Sequence, residues 1–245
     1  MLAKRIIAHL SVKPPNKLVK GIQLEGLRNL GDPHERAVKY YKDGADELLL
    51  MDIDASLDGR CGIVDLVRST CDGVFVPVAV GGGIRSTDDI RRIIAAGADK
   101  VVINTGAIRR PEFIAEAAKQ FGSQAIVVAI EYNGRLCFTD CGREHTGLDP
   151  YEWARRAVDL GAGELVLTSI ERDGTKRGYD LEMIAKIAHA VPVPVIAHGG
   201  CGKPEHIRSA AEAGADGMAC ATVLHYGNVT IANLKAAIRQ ELVHK

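Results

Sequence analysis

One phrase occurs twice in this chain, and it restricts the possible folds more than anything else in the sequence. The first copy is Val76-Pro77-Val78-Ala79-Val80-Gly81-Gly82-Gly83-Ile84-Arg85. It is followed by an amphipathic stretch to Ala96 and by Gly97-Ala98-Asp99. The second copy is Val193-Pro194-Val195-Ile196-Ala197-His198-Gly199-Gly200-Cys201-Gly202-Lys203. It too is followed by an amphipathic stretch, Pro204 to Ala213, and by Gly214-Ala215-Asp216. A short apolar, β-branched run that breaks into glycines before a helix is how a buried parallel strand presents backbone N–H groups to an anion. Two copies about half a chain apart describe a doubled unit with two such ends.

The rest of the chain repeats the alternation. Strands are expected near Arg5–Leu10, Glu47–Met51, Val76–Val80, Lys100–Asn104, Ala125–Ile130, Glu164–Thr168, Val193–Ala197 and Gly217–Ala221. Helices are expected between them, at Pro33–Asp43, Thr87–Ala96, Pro111–Gln120, Tyr151–Leu160, Leu181–His189 and Pro204–Ala213. Capping signals open several of these, at Asp32-Pro33, Ser86-Thr87, Asp149-Pro150 and Asp180. Gly-Ala-Asp or Gly-Ala-Gly closes many, with glycine taking the left-handed turn. Near-continuous apolar strands are covered on both faces, so the expected fold is α/β, a closed (β/α)8 TIM barrel of two similar half-barrels, about 1–122 and 123–245, forming one domain over 1–245. An open doubly wound sheet is the alternative. The doubling also reaches other segments. Gly31-Asp32-Pro33 is echoed by Gly147-Leu148-Asp149-Pro150, and Met51-Asp52-Ile53-Asp54 by Thr168-Ser169-Ile170-Glu171.

Polar residues sit just past each strand, where a parallel barrel has its reactive face. Gly81, Gly82 and Gly83 with Asn104, Thr105 and Gly106 would close one anion site. Gly199, Gly200 and Gly202 with Ala221, Thr222 and the Gly174 turn would close another. Glycine lets the backbone approach an oxygen, and threonine adds a hydroxyl donor. Tight turns alone would also explain either cluster. Two clusters on opposite sides of one ring favour a small-molecule substrate with a phosphate at each end.

Composition excludes several functions. The 245 residues carry no net formal charge, so nothing favours nucleic acid or an anionic membrane as partner. No apolar run approaches the roughly 18 residues of a membrane span, and no secretory leader pattern is seen. Six cysteines without framework spacing suit a reducing, cytoplasmic setting. Cys137, Cys141 and His145 form the tightest cluster of metal-ligand types, but incidental burial explains them better than zinc, and no metal or other cofactor is expected.

Longer phrases carry a family resemblance over nearly the whole chain. These are Leu2-Ala3-Lys4-Arg5-Ile6-Ile7, Leu18-Val19-Lys20-Gly21, Leu27-Arg28-Asn29-Leu30-Gly31-Asp32-Pro33, Ala98-Asp99-Lys100-Val101-Val102-Ile103-Asn104-Thr105, Phe121-Gly122-Ser123-Gln124-Ala125, Thr168-Ser169-Ile170-Glu171-Arg172-Asp173-Gly174-Thr175 and Gly178-Tyr179-Asp180. The chain resembles the cyclase subunit of imidazole glycerol phosphate synthase, a barrel of histidine biosynthesis. The resemblance implies a bisphosphate nucleotide substrate and ammonia delivered through the barrel by a class I glutaminase subunit bound at the amino-terminal barrel face. It implies an ammonia gate of Arg5, Glu47, Lys100 and Glu164, and a substrate contact from Lys20. A simple plug of paired charges is the plainer reading of those four.

The departures bear on chemistry. The family carries catalytic aspartates at the ends of its first and fifth strands, and here those positions hold Ser11 and Glu131. Glutamate still transfers protons from about one methylene further out, whereas serine cannot replace a carboxylate. His9 shares a strand side with Ser11 but lies one layer deeper. Pro14-Pro15-Asn16 replaces a shorter family turn, Asp54 stands where the family has threonine, and His198 is unusual in its turn, either touching ligand phosphate or filling the turn. Scaffold, cradles and gate are thus kept while the proton-transfer pair is altered, as in a paralogue of the kind that channels ammonia in surface-polysaccharide pathways. The favoured expectation is a cyclase-like subunit passing ammonia to a phosphorylated acceptor or a downstream amidotransferase. A functional imidazole-forming cyclase using Glu131, with Asp173, Asp52 or His9, is the second, and a non-catalytic bisphosphate-binding barrel the third.

Overall fold

The computed structural model describes residues 4–13, 17–55 and 63–239. Leu2, Ala3 and the Pro14-Pro15-Asn16 segment lie outside them. Among the described residues twelve strands share one sheet, and eight of them form a closed parallel ring. In chain order the ring strands are β1 (Arg5–Lys13), β4 (Glu47–Asp52), β5 (Val78–Gly81), β6 (Lys100–Ile103), β7 (Ile126–Asn133), β10 (Glu164–Ser169), β11 (Val195–His198) and β12 (Gly217–Cys220). Each pairs with the next, and β12 returns to β1 with Arg5 opposite Gly217.

Alternation along these strands separates two cores. Ile6, Ala8 and Leu10 of β1 point outward, into a layer that includes Leu48, Leu50, Val128, Ile130 and Leu167 and meets the helices. Ile7, Leu49, Ala79, Val102, Val127, Ala129, Val166, Ile196 and Ala219 point inward and fill the barrel with an apolar layer. The helices that cover the ring are α1 (Pro33–Lys42), α2 (Val64–Cys71), α3 (Thr87–Ala95), α4 (Thr105–Arg109), α5 (Glu112–Phe121), α6 (Pro150–Asp159), α7 (Leu181–Ala188), α8 (Pro204–Glu212), α9 (Thr222–His225) and α10 (Ile231–Arg239). The expected caps are formed. Asp32 accepts from Glu35 N–H, Asp149 from Tyr151 and Glu152 N–H, and Asp180 from Met183 N–H, while Ser86 and Asp89 cap α3 reciprocally.

Two strand starts fall later than the sequence suggested. Val76-Pro77 and Val193-Pro194 precede β5 and β11, because proline has no N–H to give the ladder. Each proline carbonyl still accepts from the neighbouring strand, Pro77 from Leu48 N–H and Pro194 from Leu165 N–H.

Strands that the sequence reading missed extend the ring at its carboxyl end. β1 runs into the antiparallel hairpin β2 (Lys17–Ile22) and β3 (Glu25–Asn29), and β7 runs into β8 (Leu136–Thr139) and β9 (Glu144–His145). The first hairpin folds over the barrel mouth. Gln23 N–H donates to Asp173 O at 2.9 Å and its side chain to Glu171 O at 3.1 Å. The seam admits only glycine, since a Cβ on Gly174 would lie 2.7 Å from the carbonyl oxygen of Gly21.

Candidate functional site

A cavity opens at the carboxyl ends of the strands, under the first hairpin. Ser11, Lys20, Glu131 and Asp173 line it together with Gly82, Gly83, Asn104 and Thr105, and Leu24 and Leu27 of the hairpin roof it. The structure therefore brings Ser11, Glu131 and two glycines of the first cluster into one enclosure.

The glycines there have steric reasons. Gly82 has φ +116°, and a Cβ on it would sit 2.4 Å from Asp52 O, while one on Gly106 would sit 2.5 Å from Ile84 O. Asn104 donates to Phe138 O at 3.2 Å, and its own Oδ1 is buried without a partner. The Thr105 hydroxyl accepts from Asp140 N–H at 3.1 Å.

Glu131 projects inward from the end of β7, two residues beyond Ala129 of the apolar layer. Burial, as the largest cause, raises its carboxyl from 4.5 to about 7. Hydrogen bonds from the Asn104 side chain and Gly142 N–H oppose the rise, and the Asp173 and Asp140 carboxylates add to it. Its Oε2 is enclosed with no partner. A carboxyl poised near neutrality inside a cavity is suited to both giving and taking a proton. The Gly142 donor was not foreseen. It comes from the turn between β8 and β9, where Asp140, Cys141 and Gly142 all have positive φ, at 51°, 59° and 77°. Two successive non-glycine residues in that region mark stored strain.

Ser11 brings no charge to the opposite side of the mouth. Lys20 and Asp173 are both buried, with the ammonium 2.8 Å from Oδ1 and 2.7 Å from Oδ2. Asp54, which also borders the cavity, pairs with Lys13 at 2.7 Å. Arg85 and Arg143 line it as well, and nothing in their spacing had marked them.

The second glycine cluster does not line this cavity: Gly174, Gly199, Gly200, Gly202, Ala221 and Thr222 are not among its lining residues. Gly199 and Gly200 have φ +91° and +104°, and added Cβ atoms would meet Ser169 O at 2.6 Å and Gly178 O at 2.1 Å. A Cβ on Gly202 would meet Lys176 O at 2.4 Å. Close backbone packing requires glycine at all three, as it does at Gly82 and Gly106 of the first cluster. His198 points into the barrel, buried. Its Nδ1 lies 3.1 Å from the Thr168 hydroxyl, and burial lowers its pKa to about 4 against the pull of Asp173.

At the other end of the barrel, four charges close a ring. Arg5 Nη1 meets Glu47 at 2.6 Å and Nη2 meets Glu164, while Lys100 meets Glu47 at 2.9 Å and Glu164 at 2.8 Å. Burial raises the Glu47 carboxyl, with Lys100 and Arg5 pulling it back and Glu164 pushing it further. Alternating signs let each buried charge be compensated on both sides.

Cys137 is buried, Cys141 Sγ donates to Ile53 O, and His145 is exposed against the edge of Phe138. Among the described residues no group of histidine, cysteine and acidic side chains is arranged to hold a metal ion. No helix among them is long and apolar enough to cross a membrane.

Sequence comparison adds the relatives. The family described as "Histidine biosynthesis protein" matches residues 5–230. The imidazole glycerol phosphate synthase subunit HisF of Corynebacterium diphtheriae is 44% identical over 248 residues, covering 97% of this chain and 96% of the relative. The protein of the same name from Thermobifida fusca is 46% identical over 248 residues, with 97% and 96% covered. With a closed eight-stranded barrel, a cavity at its carboxyl mouth and this similarity over almost its whole length, the chain belongs to the HisF family.

Proposed function

We propose that the chain is a cyclase-type subunit of a glutamine amidotransferase. It receives ammonia from a class I glutaminase bound at the amino-terminal barrel face and delivers it to a phosphorylated acceptor in the cavity. The observation that carries this reading is the placement of two polar ends on one barrel axis. The ring of Arg5, Glu47, Lys100 and Glu164 lies at one end, and a cavity with Glu131 beside a glycine cluster lies at the other. The apolar layer between them passes neutral ammonia far more readily than ammonium, because an unpaired charge there would lose its hydration. Ser11 in place of a carboxylate favours an acceptor other than the bisphosphate of histidine synthesis, as in an ammonia-channelling paralogue.

A second reading has its own observation. Glu131, raised to about 7, is able to serve as both acid and base in turn, which suits a complete imidazole-forming cyclase. The deciding experiment supplies the purified chain with the bisphosphate nucleotide substrate and ammonium salt and follows imidazole product. Turnover at ordinary enzyme rates, on the order of 1–10³ s⁻¹, establishes the second reading. Retained binding without turnover, together with stimulation of a glutaminase, supports the first. Ser11→Asp then separates them further, because it restores turnover only if the remainder of the cavity still fits that substrate.

A further inference from the structure

Two imidazoles face each other inside the barrel, between the apolar layer and the cavity. His9 lies two residues beyond Ile7 on β1, and His198 two residues beyond Ile196 on β11. Their ring centroids are 4.3 Å apart, tilted by 50°. The rings are 5% and 6% exposed, so bulk water does not serve them. His9 Nδ1 and His198 Nε2 are both enclosed without a hydrogen-bond partner. A buried polar atom left unsatisfied is costly, and proteins seldom carry two side by side.

We propose that His9 and His198 form an ammonia-holding station, a site for one neutral N–H donor on the way from the ion ring to the cavity. The proposal rests on the reading of the barrel as an ammonia passage and gives that passage a defined stop. Ammonia has three N–H donors and one lone pair, so it satisfies both nitrogens when at least one of them is its ring's acceptor; where both carry hydrogen, the single lone pair serves only one of them. The surroundings favour a neutral guest. His9 is held well below the ordinary imidazole range by burial and by His198, Lys20 and His225, and His198 is lowered to about 4. The nearest full charges are Lys20 and Asp173, which compensate each other; Asp173 Oδ1 lies 3.9 Å from His198 Nε2. His225, the third ring, is tied through Nδ1 to the Tyr40 hydroxyl at 2.7 Å and is also neutral, lowered to about 3. The Lys20–Asp173 pair borders both the station and the cavity, so ammonia leaving the rings enters where Glu131 and Ser11 stand.

The test uses the full chain with 15N-labelled histidine rings, observed by long-range 1H–15N spectra. Ammonium chloride is titrated at pH 7 and at pH 8.5, with potassium chloride as control. The expected result is a saturable shift of His9 Nδ1 and His198 Nε2, stronger at pH 8.5 for the same total ammonium and absent with potassium. Exposed His145 should not respond. Each titration is read at constant pH, so protonation of the rings cannot imitate the result. His9→Asn and His9→Leu should each remove the response at His198, two variants guarding against a folding failure in one. No shift, or an equal shift with potassium, overturns the station and leaves the rings as a packing pair. The larger reading fails separately. Ring shifts without any glutaminase stimulation keep the station and remove the partner, whereas glutamine-dependent transfer with silent rings keeps the partner and removes the station.

Discussion

The two ends of the barrel each hold a carboxyl whose pKa burial raises, and they treat it differently. At the amino-terminal end Glu47 is pushed up by burial and by Glu164, but Lys100 and Arg5 pull it back. At the carboxyl end Glu131 is pushed up by burial, and its charged neighbours Asp173 and Asp140 push the same way, leaving only the N–H groups of Asn104 and Gly142 in opposition. The first arrangement compensates charge, and the second leaves a carboxyl raised to about 7, which on the proposed function is the one that exchanges a proton. Burial alone therefore does not set how a buried acid titrates; the sign of its neighbours matters as well.

The largest effect that sharpens this contrast is on turnover. With whichever acceptor is established, Glu131→Gln should lower ammonium-dependent turnover by about 10²–10⁴-fold. A loss under tenfold in steady-state assays would remove Glu131 from the chemistry. Next is Glu47→Ala, which leaves Arg5 and Lys100 with one carboxylate partner between them and should cost about 3–5 kcal/mol. Urea unfolding reads this as a lower midpoint at constant slope; an unchanged midpoint would mean that the ring carries no net stability.

Glu131→Gln should act on stability with the opposite sign. The folded pKa of Glu131 is raised, so its contribution is fully present below the unfolded value near 4.5 and is lost as pH rises through about 7. The variant should match the wild type at pH 4 and exceed it at pH 8, by about 3 kcal/mol at most. Equal stabilities at pH 8 would show that the carboxyl is not held up. Smallest is Lys39→Ala on α1. Its exposed pair with Asp43 is worth under about 0.5 kcal/mol, and a thermal midpoint shifted as far as that of Glu47→Ala would erase the distinction between ring and surface pairs.

The ring strands were legible because they are buried on both faces and spell continuous apolar runs. The hairpins were not. Every residue of Glu25–Asn29 is exposed, and β9 is two residues long, so neither shows a period that sequence reasoning can detect. Glu131, Ser11, Lys20, Gly82 and Gly83 are marked in the sequence by phrases at strand ends, and they border one cavity in the fold. Gly142 is not marked, since it reaches Glu131 only through a strained turn on a strand that was itself unforeseen. His9 and His198 are distant in sequence and meet only when β12 closes the ring between β1 and β11. The glycines at 199, 200 and 202 read as an anion cradle in the sequence; in the fold they also meet a packing requirement, as Gly82 and Gly106 of the first cluster do, and that requirement neither supports nor removes the reading.

Neighbouring residues on β1 and β7 belong to different neighbourhoods. Leu10 and Ile130 pack outward with the helices, while Ser11 and Glu131 turn inward to the mouth. Inheritance can therefore act on the two separately. After a gene duplication, one copy can exchange a carboxylate for a hydroxyl, or lengthen one by a methylene, while the layer that keeps it folded goes untouched. In such a barrel a new reaction is reached by single steps, each of which still yields a folded protein.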